Sequence, residues 1–100
     1  VKVAYTAQAK RDLIEIGVWI AHDNPARAKT FVAELYGVCE ALGDAPRSYP
    51  LLQSHRTSGV RRRPYKSYLI FYWIMESRVE VLHVLHSARD YEAILFPQSE

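Results

Sequence analysis

Gly59-Val60-Arg61-Arg62-Arg63-Pro64-Tyr65-Lys66, followed after one serine by Tyr68-Leu69-Ile70-Phe71-Tyr72-Trp73-Ile74-Met75, decides how the rest of the chain is read. The second run is apolar at every position, which is the pattern of an inner strand covered on both faces. The first reads as a strand over Gly59 to Tyr65 that carries, with Lys66, four cations in six positions. Proline supplies no N–H to a ladder, so Pro64 puts the end of that strand at an edge or a bulge. In extended backbone Arg61 and Arg63 point to one side and Arg62 to the other. A positive, aromatic-edged ribbon is therefore fixed to the central strand of a small sheet.

Reading outward, Glu76-Ser77 makes a tight turn, and Arg78 to His86 returns as a strand with Val79, Val81, His83 and Leu85 on one face. Ala88 to Leu95 adds a short terminal helix, and Phe96-Pro97 ends the ordered part. Upstream, Asp44 to Thr57 contains Pro46 and Pro50 and reads as an irregular connection. Ahead of it lie two apolar stripes at helical spacing. Ala9, Leu13, Ile16 and Ile20 form the first; Ala28, Phe31, Val32, Leu35, Val38, Cys39 and Leu42 form the second. Thr6 and Asn24 are N-caps, with Pro25 at a first helical position where no N–H is needed. Gly43 is expected to close the second helix in the left-handed conformation. Gly17 either weakens the first helix or admits a close neighbour. So short a turn between the helices makes them an antiparallel hairpin. Lys2 to Tyr5 alternates as a short strand. The order predicts an α+β domain spanning residues 1–100: N-terminal strand, antiparallel helix hairpin, three-stranded antiparallel sheet and short C-terminal helix, with helices on one face of the sheet.

One hundred residues support one domain, and a chain of this size gains only modest stability by itself or shares it with a partner. The net charge of +2 says little, but Arg56, Arg61, Arg62, Arg63 and Lys66 lie in a stretch without an acid. That local field attracts phosphate or carboxylate surfaces. Cys39 is the only cysteine, which excludes an intrachain disulfide and fits a reducing cytoplasm as a buried thiol. The longest apolar run is far shorter than the roughly 20 residues of a membrane span. No charged leader with an apolar core opens the chain.

Arginine forks bind phosphate and carboxylate at two points, so Arg61, Arg62 and Arg63, continued by Tyr65 and Lys66, are the first candidates for contact with an acidic partner. The alternative is a solvated edge that prevents sheet-to-sheet pairing. His83 and His86 are three apart on a strand and so do not share a face, and no cysteine or carboxylate set completes a metal site. His83 reads as a hydrogen-bonded core histidine, whereas His86 sits at the strand end near Arg89, Asp90 and Tyr91. Those three residues close the sheet end through an ion pair and a helix start. His22 and His55 read as surface residues. Trp19 is offset from the buried stripe of its helix and is partly exposed. No nucleophile elbow or phosphate loop is present, and no cofactor is implied.

The chain resembles the ParE branch of the RelE/ParE toxin superfamily. The resemblance lies in the opening Val3-Ala4-Tyr5-Thr6-Ala7-Gln8-Ala9-Lys10-Arg11-Asp12-Leu13-Ile14-Glu15-Ile16, in Asn24-Pro25-Ala26-Arg27-Ala28, in Gly59-Val60-Arg61-Arg62 ahead of Tyr68-Leu69-Ile70-Phe71-Tyr72, and in the ending Val81-Leu82-His83-Val84-Leu85-His86-Ser87-Ala88-Arg89-Asp90-Tyr91. It implies the toxin half of a type II toxin–antitoxin module, a ParD-like antitoxin whose acidic, apolar tail wraps the toxin, and DNA gyrase as the target. Direct sequence-specific nucleic-acid binding is not implied. Under it, Arg61, Arg62, Arg63, Tyr65, Lys66, His86, Arg89, Tyr91 and Trp19 are expected to contact target or antitoxin, without catalysis. The alternative within the superfamily is RelE-type messenger RNA cleavage on the ribosome, for which the candidates are Arg61, Arg63, Lys66, Arg89 and Tyr91. Against it, Gln53, Ser54 and His55 stand where RelE-like chains are rich in lysine. A third reading is a non-toxic interaction module.

Overall fold

In the computed structural model, which describes residues 1–98, the order is β1 (Val3–Tyr5), α1 (Ala7–Ala21), α2 (Pro25–Ala41), β2 (Arg61–Tyr65), β3 (Tyr68–Met75), β4 (Arg78–His86) and α3 (Tyr91–Leu95). The expected end of order after Phe96-Pro97 bears on positions 99–100, which lie outside the described residues. The helix starts are local chemistry. The Thr6 hydroxyl accepts from the Ala9 N–H at 3.0 Å, and the Asn24 side chain accepts from the Arg27 N–H at 3.0 Å with Pro25 beside it. Glu76 and Ser77 both take positive φ, 50° and 64°, which matches the twist of a two-residue hairpin.

The sheet has the order β1-β4-β3-β2, with the last three strands antiparallel. The opening strand joins it in parallel against Val79–Val81. β3 is therefore inner and β2 is an edge, as Pro64 required. The α1–α2 hairpin covers one face. Ala9, Leu13, Ile16, Phe31, Leu35 and Cys39 pack there on Ile70, Tyr72, Val79, Val81 and Val84. The other face is also covered: Leu52, Val60, Leu69, Phe71 and Leu85 pack with Tyr91, Ile94, Leu95 and Phe96. The terminal helix thus lies opposite the hairpin, not on the same face with it. Phe71 and Tyr72 are adjacent, fully buried and on opposite faces, each burial being worth about 1.5–3 kcal/mol.

Three further expectations are corrected. Phe71 pairs with His83 and Tyr72 with Val81, so Leu82 is an extra residue in β4. This bulge breaks the expected single face: Val79, Val81 and Val84 turn to the hairpin and Leu85 to the other cluster. Gly43 is not left-handed, because Gly59 is the one glycine with positive φ among the described residues. Its lack of a side chain serves close approach instead, since a Cβ there would collide with the Val1 carbonyl oxygen. His55 is half-buried, stacked on the Phe96 ring at 3.9 Å, and does not lie free at the surface. Gly17 allows the close approach left open above, with Val32 Cγ2 3.2 Å from where a Cβ would stand. Cys39 is fully buried, and that burial pushes its thiol up to about 12. No helix among the described residues is long and apolar enough to cross a membrane.

Candidate functional site

The nine side chains singled out in the sequence fall on three surfaces. On the hairpin side of β2, the Arg61 guanidinium donates to the Tyr49 carbonyl at 2.6 Å. Arg63 lies over the Tyr49 ring at 5.1 Å and the Tyr65 ring at 5.9 Å, and its guanidinium also donates to the Pro64 carbonyl. Lys66 reaches over the far side of this row, 5.6 Å from the Tyr65 ring. Arg62 points to the opposite face, as alternation demanded, and donates to the Tyr91 hydroxyl at 3.1 Å. Tyr91 in turn packs on Phe71, with ring centroids 5.1 Å apart.

One carboxylate anchors the hairpin side. Glu34 of α2 takes the Arg27 guanidinium at 2.6 Å and the Tyr65 hydroxyl at 2.7 Å, with Lys66 at 3.7 Å. The Arg27 bond foremost, then the Tyr65 bond, hold the Glu34 carboxyl down at about 2, against an ordinary 4.5. The same contact raises the Tyr65 phenol. A carboxyl depressed on folding stabilises the fold above its unfolded value and ceases to do so as pH falls toward its folded one. Stability should therefore decline between about pH 4.5 and 2. Urea midpoints measured across that window should fall less steeply in Glu34→Gln than in the parent chain.

The third surface is a groove of about 500 Å³ between α1 and the end of the sheet. Glu15, Ile16 and Trp19 form one wall, and Tyr68, Val84, Leu85, His86 and Arg89 form the other. Trp19 is 74% exposed, a large apolar ring left in water. The His86 ring stands edge-on to Tyr68 at 5.2 Å, and its Nδ1 accepts from the Ala88 N–H. Asp90 caps α3, so the helix start expected at the sheet end is present. The ion pair expected there is not: among the described residues neither Arg89 nor Asp90 has an oppositely charged partner within 4.0 Å. Tyr91 is separated from His86 and Arg89, because its ring and hydroxyl turn under the sheet to Phe71 and Arg62.

Sequence reading missed Tyr49, Glu34 and Asp12. Tyr49 lies in an irregular connection where no periodicity marks a side. Glu34 stands seven residues after Arg27, a spacing that puts both on one helix face. Asp12 is the most consequential. It is 5% exposed and accepts three hydrogen bonds: from Val84 N–H at 2.9 Å, His83 Nδ1 at 2.8 Å and Gln8 Nε2 at 3.0 Å. Beyond the three-residue β1, the open edge of β4 is thus met by α1, with the Thr6 hydroxyl donating to the Leu82 carbonyl at 2.9 Å. His83 is the hydrogen-bonded, largely buried residue expected.

The five residues of the cleavage alternative are distributed over the three surfaces, with the Ser87 N–H donating to the Ser67 carbonyl at 2.8 Å beside Lys66. Arg61, Arg63 and Lys66 line the hairpin side of β2, Arg89 lines the α1 groove, and Tyr91 lies on the opposite face.

Comparison with known proteins agrees with this architecture. No curated protein matches the chain. Among solved structures, the chromosomal ParDE TA system from P. aeruginosa is similar with a TM-score of 0.75 and 15% identity, covering 86% of this chain and 95% of that one. The toxin-antitoxin complex RelBE2 from Mycobacterium tuberculosis is similar with a TM-score of 0.62 and 25% identity, covering 88% and 92%. Residues 3–91 match the family described as ParE toxin of type II toxin-antitoxin system, parDE. The chain belongs to the ParE toxin family, within the RelE/ParE superfamily.

Proposed function

We propose that this chain is the toxin component of a type II toxin–antitoxin system, that it inhibits DNA gyrase by protein contact in the cytoplasm, and that a ParD-like antitoxin neutralises it. The match to the ParE family along residues 3–91 carries the proposal. Geometry supports contact over chemistry. Cleaving RNA without a metal requires groups that activate the 2′-hydroxyl, stabilise the phosphate charge and protonate the leaving oxygen around one phosphate. The side chains available for those roles face three directions. What the surfaces offer instead is Arg61, Arg62 and Arg63, which have no carboxylate partner among the described residues, and a groove headed by Trp19. These suit an acidic and an apolar segment of a protein partner.

Supercoiling of plasmid DNA by gyrase should fall on addition of the purified chain and recover when the antitoxin is added. Unaffected supercoiling together with cut messenger RNA in a translation extract would overturn the proposal in favour of the RelE-type activity. Normal growth on induction of soluble protein without antitoxin would point to the non-toxic module.

A further inference from the structure

A pocket of about 320 Å³ opens between the start of α1 and the end of α3. Val60, Trp73, Leu82, Leu95 and Phe96 give it apolar walls, and Thr6, Gln8, Ser58 and His83 bring polar groups to it. We infer that this pocket binds a small, uncharged aromatic molecule whose single O–H or N–H donates to His83 Nε2. That binding is independent of any gyrase contact.

The other polar groups are already engaged within the chain. The Thr6 hydroxyl donates to the Leu82 carbonyl at 2.9 Å and accepts from the Ala9 N–H at 3.0 Å. The Ser58 hydroxyl donates to the His55 carbonyl at 2.6 Å and accepts from the Val60 N–H at 3.1 Å. Gln8 donates to Asp12 at 3.0 Å and accepts from Arg11 at 2.8 Å. The Trp73 indole N–H donates to Glu80 at 2.8 Å. His83 differs. Its Nδ1 meets Asp12 Oδ2 at 2.8 Å, and the same oxygen accepts from the Val84 N–H. The Asp12 carboxylate is an acceptor there, so Nδ1 is the donor and, in the neutral ring, Nε2 carries the lone pair. Nε2 has no hydrogen-bond partner among the described residues. The side chain is 16% exposed, so this acceptor is not sealed in the core.

An apolar pocket with one oriented acceptor selects its ligand by chemistry. Water is a poor occupant, because a buried water makes about three hydrogen bonds and one free acceptor stands here. No cation among the described residues lines the pocket, and the Asp12 carboxylate stands behind the imidazole, so an anion is disfavoured. A cation would exchange its hydration shell for apolar walls. A neutral ring loses little on entry, packs against Trp73, Leu82 and Phe96, and gives its one proton to Nε2.

Phenol and anisole share ring and oxygen, but anisole has no O–H to give. Titrated into the full chain at about pH 8, where an ordinary imidazole is neutral, phenol should bind about fivefold more tightly than anisole. Phenol alone should move the nitrogen resonance of His83 Nε2, and amide shifts should centre on Val60, Trp73 and Leu95. An asparagine amide nitrogen stands where imidazole Nδ1 does, so His83→Asn keeps a donor for Asp12 and lacks the second acceptor. That variant should bind phenol and anisole equally. If it melts early, the difference between the two ligands in the parent chain decides by itself. Equal affinities in the parent chain overturn the inference, as does the absence of phenol binding up to its solubility limit. Phenol shifts centred on Trp19 and Tyr68 also overturn it, because they place the ligand in the α1 groove.

Discussion

Replacing Asp12 by alanine should cost about 4 kcal/mol of folding stability, read as a lower urea midpoint with an unchanged slope. The residue sits on α1 but serves β4. Its carboxylate is the acceptor for a buried strand N–H, for an imidazole and for a glutamine amide. The short β1 leaves that part of the strand without a neighbouring ladder, so nothing else can take the Val84 N–H. Removing the acceptor strands a donor in the interior, and the cost is then the full desolvation of that group in addition to the lost bonds. A chain of this size has about 5–15 kcal/mol in total. The change should therefore lower the melting temperature by about 20 °C. Asp12→Asn keeps one acceptor oxygen and should lose about half as much. A loss within 0.5 kcal/mol for the alanine variant would mean that water reaches the strand edge after all.

Trp19→Ala should do the reverse, leaving the fold intact and removing affinity. At 74% exposure the ring contributes little to the core. It heads a groove walled by Ile16 on one side and by Tyr68 and Val84 on the other, with Arg89 at the far rim. A tryptophan at the centre of an apolar patch is the commonest form of binding hot spot, worth about 2 kcal/mol or more when truncated. Titration calorimetry against the ParD-like antitoxin should show a loss of about thirtyfold or greater, with the melting temperature of the free toxin unchanged. Equal affinity in the variant would remove the groove from the proposed interface.

The elements legible in the sequence were those set by neighbouring residues. Thr6, Asn24-Pro25 and Glu76-Ser77 each supply within a few positions the acceptor, the fixed φ or the turn that the backbone needs there. The inner strand was legible because Tyr68 to Tyr72 must satisfy two clusters at once. The Leu82 bulge was not, because Val81-Leu82-His83-Val84-Leu85 is apolar enough to suit either face, and the register is fixed by strands far away in sequence. Gly43 was misread for a related reason: its constraint comes from Val1, forty-two residues away, and not from the end of α2. Asp12 follows the cations Lys10 and Arg11, so composition alone does not mark it as buried. Yet it is three residues after Ala9 and four before Ile16, so its place on the buried face was readable. For the site, alternation sorted Arg61 and Arg63 from Arg62 correctly. It could not show that Tyr91 would follow Arg62 under the sheet, because that depends on where α3 folds back.

The separation of the two apolar clusters by the sheet has an evolutionary consequence. Substitutions on the hairpin face and on the α3 face meet few common neighbours, so their effects should combine almost independently. Repacking on one side of the sheet therefore leaves the packing on the other side largely unchanged. A single-cored domain of the same length would have to repack throughout.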